Sequence, residues 1–145
     1  MDLAKKTRLL ETFYAGVLAD ATLRFTREGI LDKVTGEKRE EQLATGRARA
    51  EQLGLNVPED VFLTLGEVFG CANWSVAKTP GGFAAETTTC RLCAMAKRMG
   101  SASPCHIYCL DPMEGMVKGL RPGAGFETKS TLWDGDACRI EVSET

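Results

Sequence analysis

Five of the six cysteines fall between Cys90 and Cys138, and four of them form Cys90-Arg-Leu-Cys93 and Cys105-His-Ile-Tyr-Cys109, with eleven residues between the pairs. Thiols at this density form disulfides, hold a metal or cluster, or do sulfur chemistry. Residues three or four apart share a helix face, so each pair can offer two sulfurs to one ligand. Two such pairs facing each other make a tetrahedral thiolate site for zinc or an iron–sulfur cluster, with Cys90, Cys93, Cys105 and Cys109 as ligands. A nucleophilic reading instead uses Cys90, Cys109 or Cys138 with Asp111, Asp136 and the sole histidine, His106. A cysteine at a helix start, as expected for Cys90, has its thiolate favoured by the unpaired amides there. The plain alternative is that these are buried free thiols packing as small hydrophobes, and Cys71 is read that way.

The residues around the thiols have plainer readings. His106 alone is a partly exposed helix residue that gains interest from sitting between two thiols. Asp111 reads as a helix cap. Asp134 and Asp136 read as hairpin-turn residues. Met95, Met99, Met113 and Met116 suit the core or the lining of a small-molecule pocket. Trp74 and Trp133 read as structural. Gly115-x-x-x-Gly119 and Gly123-Ala-Gly125 lack the strand–GxGxxG–helix setting of a nucleotide site.

The elements that must position the thiols divide into a helical part, residues 1–70, and an α+β cysteine-bearing part, residues 71–145, of one domain. About residues 2–27 form an amphipathic helix whose apolar residues include Leu3, Leu10, Phe13, Val17 and Leu18, with Gly29 ending it. A polar helix covers about 37–53, interrupted by Gly46, and either coats the surface or packs on a second subunit. Pro58-Glu-Asp opens a third helix running to about Val68. A β-hairpin follows, with strands at 73–79 and 83–89 around Pro80-Gly-Gly. A helix runs from Cys90 to Gly100, and Pro104 begins a turn carrying Cys105 and Cys109. A second helix is expected to start at Asp111, with Glu114 completing a capping box. A closing hairpin places Cys138, Ile140 and Val142 on one strand face. The fold class is α+β: an N-terminal helical layer packed on an antiparallel sheet built from two hairpins that flank short helices.

The chain has 145 residues, a net charge of −2 and 43% hydrophobic residues, an ordinary globular balance. Its basic residues alternate with acids, as in Glu37, Lys38, Arg39 and Glu40, so there is no basic stripe of the kind nucleic acid needs. No window approaches a bilayer-spanning length, and the N-terminus has no continuous apolar run of a secretory signal. A cytoplasmic, reducing location is expected, where clustered cysteines bind metals or react more often than they bridge.

Residues 83–142 resemble the L-2-amino-thiazoline-4-carboxylic acid hydrolase-like family and, more distantly, the small-molecule-binding domain named after 4-vinyl reductase. The resemblance is carried by Cys90 at a strand-to-helix junction, Ala94-x-Ala-Lys, Gly100 and Cys109-Leu-Asp111. It continues in Phe126, Thr131-Leu132 and the closing Gly135-Asp136-Ala-Cys138. It implies a small-molecule pocket and a site of Cys90, Cys109, Asp111 and Cys138; Cys93 and Cys105 are additions of this chain. Three functions follow as expectations: a cysteine-lined small-molecule or metal-binding domain, a thiol-dependent hydrolase opening a small C–N ring, or a structural module dimerising through the N-terminal helices.

Overall fold

The computed structural model describes residues 1–144. Helix α1 (Leu3–Arg27) is followed by α2 (Leu31–Gln52) and α3 (Pro58–Phe69). The hairpin β1 (Ser75–Thr79) and β2 (Gly82–Thr87) leads to α4 (Arg91–Met99). A π-helical turn (His106–Leu110) runs directly into α5 (Asp111–Leu120), and β3 (Gly125–Ser130) and β4 (Cys138–Ser143) close the chain. The α+β expectation and both hairpins are borne out; α2 begins earlier than its polar sequence suggests.

The strands form one antiparallel sheet in the order β1-β2-β4-β3. Pairing of Phe83 with Val142, Ala85 with Ile140 and Thr87 with Cys138 puts the apolar residues of both central strands on one face. Phe62 of α3 lies on that face, edge-on to Phe83 and Trp74 and stacked on Phe126. Full burial of an aromatic side chain of this size is worth about 2–3 kcal/mol.

Helix α3 starts as its sequence dictates. Pro58 needs no amide partner at the first turn, and the Asp60 carboxylate accepts hydrogen bonds from the Asn56 and Val57 amides. Helix α4 is capped by Cys90 and ends at Gly100, which takes the left-handed conformation at φ 75°.

Two helices pack in ways their sequences leave open. Helix α1 does not bury Leu3, Leu10, Phe13 and Val17. It buries Ala15, Ala19, Thr22 and Leu23 against α4, because small side chains let the two helices approach. Helix α2 covers the surface, as its polar sequence suggests, and lays a narrow face of Gln42, Gly46 and Ala50 along α5 of the same chain. Gly46 meets the backbone of Gly115, and Gly119 meets that of Arg47, with no room for a Cβ at any of these three glycines.

The expected cap at Asp111 is also absent. The chain is already helical there, and the Asp111 amide donates to the His106 carbonyl across a π turn. Pro112 explains the widening: it has no N–H to donate, and its ring would press on the Tyr108 carbonyl in a regular α-helix. Asp111 and Glu114 serve a different purpose. Arg39 of α2 donates to Asp111 Oδ1 at 3.0 Å and to both Glu114 oxygens at 2.9 and 3.1 Å.

Candidate functional site

All six cysteines are free thiols, and all six line one cavity of about 530 Å³. Each element delivers its own sulfur. Cys90 arrives as the α4 cap, Cys93 one turn later, Cys105 and Cys109 around the π turn, and Cys138 at the start of β4. Cys71 joins them because its carbonyl accepts the Arg91 amide at 2.8 Å, which ties the loop after α3 to the first turn of α4.

The rest of the wall is apolar and sulfur-rich: Leu65, Trp74, Leu92, Met113, Met116 and Leu132. Tyr14 of α1 and Phe69 of α3 stack at 4.8 Å between centroids and also reach the cavity. Polar groups come from α2: Lys38, Gln42, Arg49 and Gln52. The Lys38 ammonium lies 5.8 Å from the centroid of the Tyr108 ring. Gln42 is 3% exposed, and its Oε1 has no hydrogen-bond partner. A buried acceptor left unpaired costs about 1–3 kcal/mol.

Three sulfurs form the tightest part. Cys93 Sγ is 3.5 Å from Cys105 Sγ, and the Cys93 amide donates to Cys90 Sγ at 3.4 Å. Hydrogen bonding with Cys93 lowers the pKa of Cys90 to about 6 against the opposing effect of burial, with help from the Cys93 and Leu92 amides. Cys93, buried and in hydrogen-bond contact with Cys105, holds its proton far more firmly than an ordinary thiol. Cys105 is lowered, chiefly by Cys93. Burial pushes Cys138 up to about 12, Cys71 up to about 11, and Cys109 well above its usual range. One wall of the cavity thus carries thiolate character while the others stay neutral.

The predicted site residues divide accordingly. Cys90, Cys93, Cys105, Cys109 and Cys138 converge on the cavity. Among the described residues, no group of three or more His, Cys, Asp or Glu side chains is arranged to hold a metal ion. Asp111 is not among the cavity-lining residues; it is 2% exposed and held by Arg39 and by His106 Nδ1 at 3.1 Å. His106 is 67% exposed on the outer side of the π turn. Asp136 lies exposed in the last turn. Sequence reasoning missed Gln42, Tyr14 and Tyr108, and it treated Cys71 as an isolated thiol; no local motif marks any of these four.

Comparison with family models, curated proteins and solved structures finds no match for this chain. No helix among the described residues is long and apolar enough to cross a membrane.

Proposed function

We propose that this chain is a small-molecule-binding domain whose ligand sits in the cysteine-lined cavity. The observation that supports the reading is the convergence of all six thiols on one cavity of about 530 Å³. That volume falls in the range of drug-sized and cofactor-sized sites, about 300–1,000 Å³, and the mostly apolar wall with a few polar groups is typical of them. The ligand is compact and apolar over most of its surface, to match Trp74, Met113 and Met116. The resemblance to the 4-vinyl reductase-type domain points to the same class of function. The test is protein-observed NMR against a panel of small aromatic amines and phenols. Shifts of the Met113 and Met116 methyls are expected, and they weaken when Leu65→Trp fills the wall. A panel that moves neither methyl, from protein with no co-purifying small molecule in native mass spectra, overturns the reading.

A second reading is supported by α1. Leu3, Leu10, Phe13 and Val17 are exposed on one stripe of the helix. Leu3, Leu10 and Val17 recur every seven residues, the spacing of a helix–helix seam. We propose a second copy of this chain as the partner of that stripe.

A further inference from the structure

We propose that Cys90 and Cys93, backed by Cys105, exchange with small-molecule disulfides that enter the cavity, so that this site passes electron pairs between thiols. The proposal rests on the cavity admitting a small ligand, and it names the ligand's chemical class.

Three placements carry it. Cys90 is half-buried on the cavity wall, at the cap of α4, with its sulfur already accepting the Cys93 amide. Cys93 follows by one helical turn on the same cavity wall and is more deeply buried, at 6% exposure. Cys105 Sγ lies 3.5 Å from Cys93 Sγ, within reach of its proton. An accessible thiol at a helix start, followed three residues later by a shielded one, is the arrangement that separates attacking from resolving roles in thiol–disulfide exchange. The lowered pKa of Cys90 and the firm proton of Cys93 agree with those roles.

The exchange balances as follows. The Cys90 thiolate attacks one sulfur of RS–SR, forming a Cys90–SR bond and releasing RS⁻, which takes a proton from water. Cys93 passes its proton to the Cys105 thiolate and attacks Cys90 Sγ. The Cys90–SR bond breaks, the Cys90–Cys93 disulfide forms, and a second RS⁻ leaves and is protonated. Two protein thiols are oxidised by two electrons, and one external disulfide is reduced to two thiols. Reverse exchange with an external thiol restores the dithiol.

The experiment mixes the full chain, purified anaerobically and assayed for bound zinc and iron, with excess dithiodipyridine, and follows thiopyridone release by stopped flow. Two equivalents are expected in one fast phase, with a Cys90–Cys93 bridge in the peptide map. Cys93→Ser should release one fast equivalent and leave the mixed disulfide trapped on Cys90. Cys90→Ser should slow the fast phase by roughly 100-fold. Cys93→Ala gives the same one-equivalent readout should the serine fail to fold, with thermal melts establishing that each variant is intact. A fast thiol mapping elsewhere, two fast equivalents from the Cys93 variants, or thiols masked by stoichiometric metal each overturns the proposal. The methyl shifts of Met113 and Met116 read the cavity separately, so a pocket that binds without exchanging sinks this inference and leaves the binding function standing.

Discussion

Gln42 is the residue at which the fold leaves stability to be gained. Its Oε1 is buried without a partner in a cavity wall. Replacing it with Leu removes an unsatisfied acceptor and adds apolar surface, so the ligand-free protein should gain about 1 kcal/mol, read as a rise in Tm. A variant that loses stability instead would mean that Gln42 is paired in solution. Nothing near Gln42 in the sequence announces this role: a polar residue in a polar helix reads as solvated. Cys90 is the opposite case. Its place at the start of a helix, after a strand and before Ala94-x-Ala-Lys, was readable, and with it the thiolate-favouring amides. Cys71 was not, because the hydrogen bond from Arg91 that brings it to the site joins segments with no shared motif.

Elements were legible where local chemistry sets them and obscure where packing does. Pro58 and Asp60 mark the start of α3, and Gly100 marks the end of α4, because caps are local. The contact between α2 and α5 was hidden, since glycine inside a helix argues against helix unless a second backbone needs the space. Gly46→Ala decides between those effects. Intrinsic propensity favours Ala by about 1 kcal/mol, whereas a Cβ placed on the Gly115 carbonyl forces the helices apart at a cost of about 3 kcal/mol. A net loss of about 2 kcal/mol in urea unfolding is expected; a gain would mean the helices do not touch there. The same interface holds Arg39 between Asp111 and Glu114. Burial works to raise the Glu114 carboxyl, but hydrogen bonds from Arg39 and Lys118 win and hold it below its usual range. A depressed carboxyl stabilises the fold above its unfolded value, about 4.3, and that contribution disappears as pH falls through the folded value. Arg39→Met should therefore cost about 2 kcal/mol near neutral pH, less than a fully buried pair because the guanidinium is 40% exposed. The gap from the unsubstituted protein should narrow below about pH 4, and a gap that widens in acid would contradict this account.

At the scale of the whole molecule, α1 has two faces and the fold uses one. Ala15, Ala19 and Leu23 seat its C-terminal half on α4, while its residues up to Leu10 stay exposed. The sequence showed an amphipathic helix but not which of its faces the fold buries, since periodicity reports which side chains are apolar and not which neighbour covers them. Large side chains left at the surface cost little individually, yet Phe13 at 70% exposure with Leu3, Leu10 and Val17 along one line forms a continuous patch. Two copies of α1 laid together would bury both stripes with no rearrangement of the α1–α4 contact. They would also come near the cavity, because Tyr14 and Leu18 lie within or beside the stripe and line its wall. Sedimentation at micromolar concentration should give a dimer. Phe13→Glu, which places two like charges at the seam, should give a monomer with an unchanged Tm at low concentration, because Phe13 packs on nothing within its own chain's core. If the chain sediments as a monomer at every concentration, the stripe faces something other than a second copy; if Phe13→Glu unfolds the protein, the residue belongs to the core after all.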